Sequence, residues 1–425
     1  MTNSQITRTE NTVSFSGSFG LQDLHRPLAG LHQAVQKAGY SDIILDFSRC
    51  DAAFPAAMLA LCAQVSKLRQ AQIDIDLRLP KDEKLRRLFQ NANWAHYIAP
   101  RIYDPSTFRG YTQIPATQYA SPEDQSKAVN RIVNAILGAI PEMERKDFAA
   151  LEWAINELTD NVLVHSESSV GGFVQVSTFV RNKKRVTFIV ADAGIGILAS
   201  LKRGHPELGN DADALDRAIR EGITRDKSVG QGNGLFGSYQ ICSHSDGFFQ
   251  VESRYGKLVF EGRHGLHVNL EKVPYDGTLV VMEVDFSIPH LLEEALKIAG
   301  RTHHPTDYVE NYYEDQELEQ VIFRVAQETN SFGSRTSGTP IRNKLINLLR
   351  MCPTQRIAID FSDVALISSS FADELIAKLF VELGPLTFMS RFQLKGASIT
   401  VQALIDKAIS QRVRDSGTSL TSDRR

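Results

Sequence analysis

The stretch ALEWAINELTDNVLVHSES, residues 150–168, limits what this chain can fold into more than any other. Leu151, Ala154, Ile155, Leu158 and Val162 recur at helical spacing and supply one packing face. Glu157, Asn161 and His165 fall at i, i+4 and i+8. A helix over 150–168 therefore lines a carboxylate, an amide and an imidazole along a second face. One reading is a solvated stripe that ends in a histidine. The other is a face turned toward a polar ligand. A carboxylate can polarise a water or hydroxyl, and an amide oxygen can serve Mg²⁺, which takes oxygen ligands in octahedral geometry.

Three later stretches bear on that choice. VADAGIGIL places Asp192, Gly194 and Gly196 after the apolar run VTFIV, which reads as a strand. GQGNGLFGSYQI places Gly230, Gly232, Asn233, Gly234 and Leu235 at a helix start. DGTLVVMEVDF puts Gly277 and Thr278 at the head of a strand. Glycine lets backbone N–H groups close around phosphate, and a helix N-terminus adds partial positive charge. A single glycine cluster marks only a turn.

Taken together and in this order, the stretches resemble the GHKL superfamily of ATP-binding domains, which includes gyrases, histidine kinases and MutL. The pattern Glu157-x-x-x-Asn161-x-x-x-His165 is most similar to the anti-sigma-factor serine kinase branch. The resemblance covers roughly residues 120–287. It implies a Bergerat-type α+β sandwich that binds ATP with Mg²⁺. Asp192 would accept a hydrogen bond from the adenine amino group, supported by Thr278 through a water. Gly194 and Gly196 would let the chain pass close to adenine and ribose. Asn161 would coordinate Mg²⁺, and the 230–235 turn would offer N–H groups to the phosphates. Glu157 would be the general base, and His165 would orient the lid or pack. Arg225 and Lys227 either meet the β- and γ-phosphates or are ordinary solvated charges. They lie in the segment 197–229, expected to act as a moving lid, in which HPELGNDADALDRAIREGITRDKSVG reads as one clear helix at about 212–221 and then a basic loop.

The flanks share a grammar of alternating strands and helices, an α/β layer at each end. Residues 10–16 read as a strand, 20–38 as a helix in which Pro27 either sits near the first turn or breaks it, and KDEKLRRLFQNANWAHYI as one amphipathic helix. Far along, 339–351 reads as a helix with Pro340 in its first turn. IILDFSRCDAAF (43–54) matches IAIDFSDVALIS (357–368), which points to an internal repeat. IDFSDVALISSSFADELIAKL resembles STAS-like domains, the fold of anti-anti-sigma factors. In that family a serine at the following helix start accepts phosphate, and Ser370 is the matching position. Phe371 stands where the family has Gly. The alternative for Ser368-Ser369-Ser370 is a helix N-cap, with Asp373 or Glu374 completing a capping box. The N-terminal copy carries Phe54-Pro55-Ala56-Ala57 there and has no hydroxyl.

The expected organisation is a STAS-like α/β domain (1–100), a linker (101–120), the GHKL domain (121–287), a second linker (288–318), a STAS-like domain (319–412) and a disordered tail (413–425). With 47 basic and 50 acidic residues, the net charge of −3 gives no reason to expect nucleic acid or membrane as a partner. No run of 18 apolar residues appears, and the start lacks a signal peptide. Cys50, Cys62, Cys242 and Cys352 show no metal spacing, which makes a cytoplasmic location the default. Two functions stay open. One is a regulatory ATPase or serine kinase acting with STAS-type domains. The other is a nucleotide-gated binding or scaffold module with little turnover. A protein partner through the STAS-like domains and a homodimer are the partners to expect.

Overall fold

The computed structural model describes residues 4–107, 113–179, 184–220, 222–224, 233–245, 247–287, 297–298, 301–302 and 307–422. The fold is mixed α/β with several sheets. The chain divides into two compact units: Met1–Ile132 with Ala150–His303, and Val133–Ala149 with His304–Arg425. The stretches expected as separate domains at 1–100 and 121–287 thus fall largely in one unit.

In the first unit, β1 (Gln5–Thr9), β2 (Thr12–Phe19), β3 (Asp42–Ala53) and β4 (Asp74–Arg78) form a sheet in that order. β1 is antiparallel to β2, and the pairs β2–β3 and β3–β4 are parallel. The polar edge strand β1 was not anticipated. The expected helix over 20–38 is three short pieces, Leu21–Asp23, His25–His32 and Gln33–Lys37. KDEKLRRLFQNANWAHYI is likewise two helices, Glu83–Asn91 and Trp94–Ile98. Asn93 between them has φ 66, a left-handed conformation that no helix continues through.

A second sheet in this unit holds β5 (Gln113–Tyr119), β6 (Gly172–Phe179), β7 (Arg185–Asp192), β8 (Phe248–Glu261) and β9 (Gly265–Asp285). Its order is β5-β6-β7-β9-β8, antiparallel throughout. Seven successive residues of β6, Gly172–Thr178, are buried, so both faces of the sheet are covered. Alternation sends successive side chains to opposite faces. Phe173, Ile189, Ala191, Leu279 and Val281 join one continuous apolar cluster with the N-terminal sheet and the helix Pro55–Gln70. That shared core is why the N-terminal part does not separate as a unit of its own. Polar ties reinforce it: Trp94 Nε1 donates to Gln175 Oε1 at 2.9 Å, and His25 pairs with Glu252 at 2.9 Å. Gly277 and Thr278 lie inside β9 rather than at a strand head. The strand runs past them because a bulge at Arg254, φ 52, absorbs the register change in β8. Two further two-residue strands, β10 (Lys297–Ile298) and β11 (Arg301–Thr302), pair antiparallel.

The second unit is built on β12 (Glu314–Asp315), β13 (Gln320–Arg324), β14 (Arg356–Asp360) and β15 (Phe392–Lys395), again in chain order. The first pair is antiparallel and the next two parallel, the topology of β1–β4. The shared Asp-Phe-Ser has one physical cause. Asp46 Oδ1 accepts from the Ser48 N–H at 2.9 Å, and Asp360 Oδ1 accepts from the Ser362 N–H at 2.9 Å. In each copy the phenylalanine between them is fully buried. The carboxylate thus satisfies a backbone donor beside a residue that anchors the core. The helix Arg335–Met351 begins earlier than expected, because Ser334 caps it by accepting from the Ser337 N–H at 3.2 Å. Pro340 is therefore in the second turn, not the first. The last helix, Ile399–Ser422, runs through positions 413–422 expected as tail. Buried Asn347 ties this sheet's helix to the segment 133–149. Its amide donates to Leu137 O at 2.8 Å and Ile140 O at 2.7 Å, and its oxygen accepts from the Met143 N–H at 2.9 Å.

Candidate functional site

The helix Arg145–Asn161 is followed by a wider turn, Val162–Ser166, which Glu167 ends at φ 52. The expected single helix over 150–168 thus changes pitch after Asn161, and His165 leaves the strict line. Glu157, Asn161 and His165 still line one cavity of about 420 Å³. Asp192 and Val190 reach it from β7, Thr278 and Val280 from β9, and Gly196 from the turn after β7. Asn233, Gly234 and Leu235 close it from the start of the helix Gly234–His244.

Glycines set how closely these elements meet. A Cβ on Gly234 would stand 2.6 Å from Glu157 Oε2 and 3.3 Å from Asn161 Nδ2, so that helix start abuts the polar row. Gly277 has φ +94, and a Cβ there would collide with Asp192 and the Gly194 N–H. Gly194 does not line the cavity. It stands behind Asp192 and donates its N–H to Oδ1 at 2.8 Å.

Asp192 is buried, and burial pushes its carboxyl up to about 7. The backbone N–H groups of Gly194 and Thr278, then the charge of Lys67, pull the other way. A carboxylate kept out of water, with only part of its accepting capacity used, is poised for a ligand donor. Burial, then the neighbouring Asp160 carboxylate, also raises Glu157 above the ordinary range. Raised carboxyls facing one cavity suit proton acceptance near neutrality.

Sequence reasoning missed several lining residues. Trp153 is one turn before Glu157 in the same row, so its spacing already pointed to it; its ring lies where a Cβ on Gly237 would be. Asp160 sits at i+3 from Glu157, on the same side of the helix. Ser200, Ile223 and Thr224 carried no local signal. The helix expected at about 212–221 is Asp211–Ala218, and among the described residues a short further one, Ile197–Leu201, precedes it. Leu201, Leu208, Ala214 and Ala218 form a small apolar cluster of their own, with Leu235 packed on it. Gly230, Gly232, Arg225 and Lys227 lie outside the described residues.

Ser370 is in the second unit, exposed, as the second residue of the helix Ser369–Ala372. The cap is Ser368, whose hydroxyl accepts from the Phe371 N–H at 3.0 Å. The expected capping box does not form. Asp373 is taken by Arg412 at 2.6 and 2.7 Å, and Glu374 accepts from Thr339 and Lys378. Phe371 is buried edge-on against Phe332, which gives this position a packing role that glycine could not fill.

Residues 337–402 match the family described as a STAS-like domain of unknown function, DUF4325. The match runs from the helix Arg335–Met351 through β14 and β15 into the last helix. No curated protein matches the chain.

Proposed function

We propose that the cavity of the first unit binds an adenine nucleotide with Mg²⁺ in a GHKL-type arrangement. On this reading the chain is a regulatory ATPase or serine kinase that works with STAS-type domains, one at each end. The observation that carries the proposal is convergence. Glu157, Asn161, Asp192, Gly196, Gly234 and Thr278, drawn from stretches up to 121 positions apart in sequence, line a single cavity. The volume, about 420 Å³, lies in the range of small-molecule sites.

In this reading Asp192 and Thr278 hold the adenine end. The 6-amino group donates to the carboxylate, whereas guanine has an oxygen there. The start of Gly234–His244 offers backbone N–H groups to phosphate. The donor set fits Mg²⁺. Among the described residues no group of three or more His, Cys, Asp or Glu forms a ready-made metal cage, and Mg²⁺ is commonly held by one or two protein oxygens with phosphates and waters. Asn161 would supply such an oxygen. The ion would neutralise phosphate charge. Glu157 accepts the proton of a water or a protein hydroxyl. The N-terminal sheet supports being STAS-like through the topology it shares with the matched C-terminal one. Its packing on the back of the nucleotide sheet favours a second reading, a nucleotide-gated binding module with low turnover.

The full chain incubated with γ-labelled ATP and Mg²⁺ separates these. Label on protein indicates a kinase, and Ser370 is the first position to check. Released phosphate indicates an ATPase. Binding without transfer indicates the gated module. Absence of binding overturns the proposal.

A further inference from the structure

The helix Pro55–Gln70 of the N-terminal sheet ends against the corner that holds Asp192. Gln64, almost fully buried, donates its side-chain N–H to the Asp276 carbonyl at 2.6 Å. Lys67 Nζ lies 3.1 Å from Asp276 Oδ2. Arg254, on the β8 bulge, takes the other oxygen of Asp276. The next residue, Gly277, is pressed on Asp192 and the Gly194 N–H. Tyr275, on the other side, donates its hydroxyl to the Asp192 carbonyl at 3.1 Å. Ser253 joins the knot. Its hydroxyl donates to Gly277 O at 3.0 Å and accepts from the Ile197 N–H, where the lid begins, at 2.8 Å.

Residues 275–278 thus have two sides. One meets the Asp192 corner, and the other is gripped by a helix 212 positions away. Resting on the nucleotide reading, we propose that Gln64 and Lys67 are positioning residues for the Asp192 corner, so that docking of the N-terminal α/β part and filling of the cavity are coupled. Binding that needs the 275–278 backbone in place is tighter while the helix holds it. By reciprocity, a filled cavity tightens the hold on the helix. A partner that pulled the N-terminal part away would lower nucleotide affinity without touching the cavity.

The test uses the full chain with ADP and Mg²⁺ as the probe. In Gln64→Leu/Lys67→Met, ADP affinity by calorimetry falls roughly five-fold or more, the lower range of typical coupling. Lys67→Arg alone, which keeps a cation facing Asp276, is expected to bind ADP as the wild type does. In the wild type, ADP slows amide exchange across Pro55–Gln70 as well as around the cavity. That second readout stands even if the double variant folds poorly, and a merely structural role would shift melting without it. ADP protection confined to the cavity, with unchanged exchange in 55–70, overturns the coupling alone. Absence of any ADP protection at Asp192 and Gly234 overturns the nucleotide reading, and the coupling with it.

Discussion

The two small sheets share one topology yet are used differently, and the difference lies in the helix after the third strand. In the N-terminal copy this helix opens on Phe54-Pro55, and ten successive residues, Ala57–Ser66, are buried. One side packs on its own sheet and the other on the sheet that carries Asp192. In the C-terminal copy the equivalent segment opens on Ser368-Ser369-Ser370, with Ser369 and Ser370 exposed. It is held from within its own fold by Arg412 on Asp373. Thus the copy without a hydroxyl is committed to an internal interface, and the copy with hydroxyls keeps that helix start in solvent. One backbone plan serves both because each Asp-Phe-Ser turn satisfies the same backbone N–H and buries the same phenylalanine, whatever the following helix start presents.

Substitutions can break that comparison in graded steps. Trp94→Ala should cost most, about 3–5 kcal/mol, as the loss of a fully buried indole. It also strands Gln175, and chemical denaturation would show it in the first unit only. Asn347→Ala attacks the other copy's anchor. Losing three buried hydrogen bonds should cost about 2–4 kcal/mol, with unfolding of the second unit as the readout. Equal loss in both units from either change would contradict separate anchoring.

The pH dependences are smaller. Asp192, raised to about 7, accepts a ligand N–H more strongly when ionised, so nucleotide affinity should weaken as pH falls below about 7. For His25, burial lowers the pKa, but the hydrogen bond and charge of Glu252, with Glu271 behind, outweigh it and the opposing Lys257; the net shift is upward. A raised histidine stabilises fully below its unfolded pKa of about 6.5 and loses that contribution as pH rises through the folded value. Melting of the first unit against pH should therefore show a decline in this window, absent in His25→Gln.

Much of this was legible in the chain. Alternating apolar strands, the repeated Asp-Phe-Ser and the order of the glycine stretches specify an α/β chain with like ends and bring nine cavity residues into view. Trp153 was equally legible, because it continues the Glu157–Asn161 row by one turn. What escaped has nonlocal causes. The contact of Gln64 with Asp276 joins residues that have no shared pattern, and each is an ordinary polar residue in its own segment. The change of pitch after Asn161 and the left-handed Asn93 are tertiary choices that helical periodicity does not encode. The polar strand β1 forms only because β2 offers it an edge.

The central claim is that Asp192 and its neighbours form an adenine-nucleotide pocket. Its most direct test is calorimetric titration of Mg-ATP into the full chain and into Asp192→Asn. The account predicts saturable binding to the former and a loss of roughly 10- to 100-fold in the latter, with both chains melting cooperatively. Equal affinity in the two, or no heat of binding to the unaltered chain, would contradict it.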